Sequence, residues 1–138
     1  MKVEQGILRI ETAGVGLVDI TSKVAVWLAQ ARLIKGSLTI FCRHTSAGLL
    51  ISENASPAVQ RDLLRWLDAL APQGSHYEHD DEGPDDMPAH IRAMLTGSTL
   101  TVPFSGNRML LGNWQAIYLA EHRARSHTRE VVLSAIGE

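Results

Sequence analysis

The sequence holds a single cysteine, Cys42, so no intrachain disulfide can form and nothing points to an oxidising compartment. Long apolar runs are missing as well. None approaches the ~20 residues that span a bilayer, and the opening Met1-Lys2-Val3-Glu4-Gln5 lacks the apolar core of a secretory signal. Excess positive charge is also absent. The 13 Lys and Arg are outnumbered by 15 Asp and Glu, for a net charge of −2, which argues against a duplex nucleic-acid binder. There is no internal repeat and no low-complexity tract. These absences leave the expectation of one cytoplasmic domain over residues 1–138, with no nucleic-acid and no membrane partner.

What is present reads as alternating strands and helices at the start and strands at the end. Ile7 to Thr12 alternates as a strand, and Ala13-Gly14-Val15-Gly16 breaks it. A helix is expected over about Thr21 to Leu33, capped by Asp19 or Thr21, with Val24, Trp27, Leu28 and Ala31 on one stripe and Gly36 closing the unit. Strands at Ser37–Cys42 and Leu49–Ser52 suggest a hairpin. Ser56-Pro57 starts a second helix, whose stripe is Val59, Leu63, Trp66, Leu67 and Leu70. A polar loop runs from Gln73 to Asp86. A short helix follows, capped by Asp85 or Asp86 and stopped by Gly97. Four more strands are expected at Thr99–Phe104, Met109–Leu111, Gln115–Glu121 and Glu130–Ile136. Without strand–helix alternation late in the chain, the class is α+β, a mostly antiparallel core with two to three helices.

Three stretches could carry chemistry. His76 to His90 holds three of the six histidines and six of the fifteen acids. Its imidazoles and carboxylates suit a divalent cation, with His79 from the loop and His90 from the helix converging on it. The competing reading is a solvated acidic loop, because the spacing matches no compact zinc motif. His44, beside Thr45, Ser46 and Gly48, ends the apolar face of Leu38, Ile40 and Cys42. It reads either as part of an anion pocket or as a core histidine bonded to a neighbouring hydroxyl. The third stretch is basic: Arg108, then His122-Arg123-Ala124-Arg125-Ser126-His127-Thr128-Arg129, an anion site or a solvated turn. Without interleaved aromatics it carries little sign of single-stranded RNA binding. Glu121 alternates with Ile117 and Leu119, and such an acid in an apolar row needs an arginine or a cation beside it.

His44-Thr45-Ser46-Ala47, Ile51-Ser52-Glu53-Asn54, Asp85-Asp86-Met87-Pro88-Ala89-His90, Leu110-Leu111-Gly112-Asn113-Trp114-Gln115 and Glu121-His122-Arg123 together resemble the YjbQ-like family. The chain departs from that pattern at Asn113, where threonine is frequent, and at Ala124 to Thr128, where many members carry a glycine turn. The resemblance implies an α+β fold with a β-sandwich-like core, assembled as a homotrimer. It also implies a pocket around His44, His79 and His90 holding a divalent metal (Zn, Mg or Mn). The activity it implies is secondary thiamine-phosphate synthase. In that reaction a thiazole phosphate displaces pyrophosphate from hydroxymethylpyrimidine diphosphate. On this reading Asp86 and Glu121 are the catalytic acids, and Ser46, Asn54, Arg108, Arg123 and Arg129 contact the phosphorylated substrate. A cation and arginines would offset the charge developing on pyrophosphate, and no protein nucleophile is needed. Two other readings remain: a trimeric protein that binds a metal or phosphometabolite without turnover, and a metal-dependent hydrolase.

Overall fold

A computed structural model describes residues 1–74 and 76–138. In chain order the elements are β1 (Lys2–Glu11), β2 (Gly16–Asp19), α1 (Thr21–Ala31), β3 (Lys35–Cys42), β4 (Ala47–Glu53), α2 (Pro57–Leu70), α3 (Asp86–Thr96), β5 (Thr99–Ser105), β6 (Arg108–Met109), β7 (Gln115–Glu121) and β8 (Thr128–Gly137). They build two antiparallel sheets, one in the order β1-β8-β3-β5-β6 and one in the order β2-β7-β4. The α+β class with a sandwich-like core is thus the observed one. No helix among the described residues is long and apolar enough to cross a membrane.

Alternation explains the core. Along β8, Val131, Leu133 and Ala135 are buried, while Val132, Ser134 and Ile136 face outward. Leu38, Ile40 and Cys42 of β3 share the inner face with Val102 and Phe104 of β5. The facing sheet supplies Ala47, Leu49, Ile117 and Leu119, and α1 adds Val24 and Leu28. Burial of this size is the main favourable term of folding.

Several local expectations are corrected. β3 and β4 do not form a hairpin: β3 pairs with β5 and β8, whereas β4 pairs with β7. β2 begins at Gly16, inside the stretch Ala13–Gly16 that the sequence suggests is only a break. Of the two expected caps of α1, Asp19 serves: its Oδ1 accepts the N–H of Thr21, the first helical residue, at 2.9 Å. Ile20 holds the N-cap position, and Thr21 Oγ1 instead accepts the Ile117 N–H at 2.8 Å, tying the helix start to β7. Gly36 lies inside β3, and α1 ends at Arg32 in the left-handed region. On α2 only Leu67 is buried, and Trp66 and Leu70 of the expected stripe are exposed.

Register gathers one end of the sandwich. Glu121 at the end of β7 lies opposite Gly16 on one side and Ala47 on the other. Thr128 at the start of β8 lies opposite Glu11, and Cys42 opposite Val131. The loops after β1, β3 and β7 therefore meet at that end, and hydrogen bonds from residues 45 and 122–124 join α3 to it along its length, from Asp85 and Asp86 to Thr96.

Candidate metal centre

Asp86, the first residue of α3, is buried although charged, and it organises the site. Its helix-start position favours a carboxylate, because unpaired backbone N–H groups leave partial positive charge there. Asp86 Oδ2 lies 2.8 Å from His79 Nε2 and 3.2 Å from His90 Nε2. His90 is one turn further along the helix, so the i, i+4 spacing brings it onto the same face. Glu82 Oε2 lies 3.1 Å from His79 Nε2. One donor atom from each of His79, Glu82, Asp86 and His90 falls within 4.8 Å of the others.

The orientation of His90 bears on what this cluster suits. Its Nδ1 lies 2.9 Å from the Thr45 carbonyl oxygen, which can only accept, so Nδ1 carries a hydrogen. In the neutral ring the Nε2 lone pair then faces a carboxylate oxygen. Two acceptors at 3.2 Å repel unless a proton or a cation lies between them. The Thr45 carbonyl is also the kind of outer partner that fixes a ligating imidazole. Two imidazole nitrogens and two carboxylates fit a divalent cation by donor chemistry.

The charged neighbours set the protonation states. The hydrogen bond to Asp86 raises the pKa of His79, with further help from Asp81 and Glu82. Burial alone would raise the Asp86 pKa, but His79, His90 and Arg123 outweigh it and hold the carboxyl below its usual range. Asp85 behaves the same way: burial opposes ionisation, and the Ala124 N–H and Arg123 override it.

Arg123 binds this acidic corner together. Its Nε donates to Asp85 Oδ2 at 3.0 Å, Nη1 to Asp86 Oδ1 at 2.5 Å, and Nη2 to the Glu82 carbonyl at 3.0 Å. Gly83 allows the loop to close over the pair. Its φ of 102° is left-handed, and an added Cβ would stand 3.2 Å from Asp85 Oδ1. A cleft of about 560 Å3 opens beside the cluster, lined in part by Tyr77, His79, Pro84 and Met87.

Of the expected ligands, His79 and His90 converge, and Asp86 joins them as a candidate ligand rather than standing apart as a catalytic acid. His44 does not join. Its Nε2 accepts the Glu130 N–H at 2.7 Å, which places the ring hydrogen on Nδ1 and leaves the neutral imidazole without a free lone pair. Burial, aided by Arg129, lowers its pKa and keeps it neutral. Glu82 was missed, although its i+3 spacing from His79 was readable.

The remaining expected residues have other roles here. Glu121, expected to be catalytic, is fully buried. Thr12 Oγ1 and Arg129 Nε donate to Oε1 at 2.7 and 2.8 Å, and the Arg123 N–H and Arg129 Nη2 donate to Oε2 at 3.1 and 2.5 Å. Arg129 is 4% exposed, and its Nη2 also donates to Ser46 Oγ, so Arg129 and Ser46 hold each other. The guanidinium of Arg123 faces carboxylates rather than open solvent. Arg108 lines a different cleft, between α1 and the β5–β6 turn. Asn54 is exposed at the end of β4, where its N–H bonds to the Trp114 carbonyl. Trp114 itself is exposed.

An antiparallel α+β sandwich with an imidazole–carboxylate cluster at one end defines the class. The sequence model of the family described as UPF0047 protein YjbQ-like matches residues 7–138. The UPF0047 protein sll1880 of Synechocystis is 44% identical over 135 residues, 97% of this chain and 92% of that protein. The UPF0047 protein YjbQ of Escherichia coli O157:H7 is 36% identical over 135 residues, covering 97% and 98%. A crystal structure of a yjbq/upf0047 family protein from Clostridium acetobutylicum superposes with a TM-score of 0.87 at 34% identity, covering 94% of this chain and 98% of that one. The chain belongs to the YjbQ-like UPF0047 family.

Proposed function

We propose that this protein is a divalent-cation-dependent transferase acting on a pyrophosphorylated small molecule. Its specific reaction is thiamine-phosphate synthesis, the joining of hydroxymethylpyrimidine diphosphate to thiazole phosphate. The observation that carries the cation reading is the convergence of His79, Glu82, Asp86 and His90 donor atoms within 4.8 Å. Two imidazoles favour Zn or Mn over Mg in such a set. A bound cation would supply charge stabilisation for a departing pyrophosphate.

The chain's own residues do the rest. Thr45 and Asp86 orient the two rings, and the cleft beside His79 has the volume of a small-molecule site. The thiamine precursors as substrates rest on the family resemblance. The open side of the cluster, where His79 is 44% exposed, favours one further reading, a hydrolase that activates a bound water.

The working assembly is a cytoplasmic homotrimer. On the outer side of the five-stranded sheet Val3, Ile7, Phe41 and Ile136 are exposed, an apolar face that subunit contact would cover.

Incubation of the purified protein with both thiamine precursors, with and without Zn, Mn or Mg, tests the reading. Cation-dependent formation of thiamine phosphate supports it. Cation binding without turnover leaves a binding protein, and pyrophosphate or phosphate release without coupling leaves the hydrolase. Light scattering on the eluting protein tests the trimer, and a monomeric mass would remove it.

A further inference from the structure

The guanidinium of Arg123 occupies an unusual place for a residue in a basic stretch. It does not point at an open anion site but braces three acidic residues of one stretch at once. Nε reaches Asp85, Nη1 reaches Asp86 Oδ1, and Nη2 reaches the Glu82 carbonyl. Its side chain is 14% exposed. The backbone next to it is fixed as well. The Arg123 N–H donates to buried Glu121, and the Ala124 N–H donates to Asp85 Oδ2 at 2.8 Å.

Glu121 is in turn gripped by Arg129 and Thr12. An unbroken set of hydrogen bonds therefore runs from the sheet ends to the acidic corner. Its consequence lies on Asp86. With Oδ1 held by Arg123, the carboxylate plane is set and Oδ2 is turned toward both imidazoles. The bond to the Glu82 carbonyl fixes the loop that presents the Glu82 side chain.

We propose that Arg123 is a positioning residue of the cation site, holding Asp86 and the Glu82 segment in ligating geometry, and is not a substrate-phosphate contact. The proposal rests on the cation reading above. A planar fork is needed for this role, because a lysine ammonium cannot bridge Asp85 and Asp86 while also reaching the Glu82 carbonyl. Outer partners of metal ligands typically change affinity by about 10–100-fold when removed.

The test is competition for Zn2+ between the full-length protein and a chromophoric chelator, for wild type, Arg123→Ala, Arg123→Lys and Asp85→Asn, with folding checked by circular dichroism. Arg123→Ala is expected to bind about 10–100-fold more weakly, with partial recovery on adding guanidinium at low millimolar concentration. Arg123→Lys should recover little. Asp85→Asn, which loosens Arg123 without removing it, should lose affinity by a smaller factor, and it carries the test if Arg123→Ala does not fold. Wild-type binding with unchanged affinity in the folded variants overturns the proposal alone. No Zn2+ binding by wild type overturns the cation reading as well. Pyrophosphate affinity of the metal-free proteins, followed by calorimetry, should not depend on Arg123. A loss there with unaltered Zn2+ affinity would make Arg123 a phosphate ligand instead.

Discussion

Glu121 and Arg129 form a fully enclosed ion pair in which each carboxylate oxygen takes one guanidinium nitrogen, at 2.8 Å for Nε and 2.5 Å for Nη2. The two residues sit at the end of β7 and the start of β8, so the pair ties the two sheets together beside the acidic corner.

Breaking that pair leaves one charge buried without a partner, which typically costs ~3–5 kcal/mol. Glu121→Gln and Arg129→Met should each lower stability on that scale in urea unfolding, and the double variant should lose less than the two losses combined. Burial opposes ionisation of Glu121, yet Arg129 and Thr12 hold its folded pKa below the 4.5 of an ordinary glutamate. Its contribution is therefore fully present above pH 4.5 and lost as pH falls through the lowered folded value. Additive losses in the double variant would contradict the pairing.

His122 gives a second pH signature. It is 1% exposed, touches Thr96 Oγ1 at 3.2 Å, and burial, with Arg92, depresses its pKa to about 4. The unfolded state takes up a proton near pH 6.5 that the folded state refuses. Stability should thus decline from pH 6.5 toward pH 4, by up to ~3 kcal/mol from this group. His79, whose pKa is raised, works in the opposite sense, so the difference between wild type and His122→Asn isolates the effect. Parallel stability–pH curves for the two proteins would rule it out.

Gly48 of β4 lies against the C-terminal end of α3. A Cβ there would overlap Thr96 Oγ1 and come within 2.7 Å of the Gly97 carbonyl oxygen. Gly48→Ala should cost ~1–3 kcal/mol by overpacking and should displace the helix that carries Asp86 and His90. A melting temperature equal to wild type would show that the helix yields freely.

Elements with strong local signals were legible in the sequence. Ser56-Pro57 marks the start of α2, and the nearly unbroken apolar run between Gln115 and Glu121 marks β7 with its bounds. The pairing of strands was not, because β3 and β4 are adjacent in sequence and equally apolar, while their partners lie far along the chain. At the site, His79 and His90 were readable from the density of acids and imidazoles around them. His44 and Arg123 were not, since a histidine bonded to a distant N–H and an arginine bonded to distant acids look the same in sequence as free ones. Glu121 in its apolar row requires an arginine or a cation beside it, and Arg129 is that arginine.

Replacing ligands tests the cluster from another side. His79→Ala and His90→Ala should each lower bound cation by at least about tenfold at limiting metal, measured by elemental analysis after gel filtration. His44→Ala should leave it unchanged, because that ring is engaged with Glu130. Equal metal content in all three variants would contradict the assignment.

The most direct measurement is a crystal of the wild-type protein grown with Zn2+ or Mn2+ and examined at the metal's absorption edge. The account expects one anomalous peak within bonding distance of His79 Nε2, His90 Nε2 and Asp86 Oδ2, with Asp86 Oδ1 still on Arg123. An empty cluster, or a peak only at other surface groups, would contradict it.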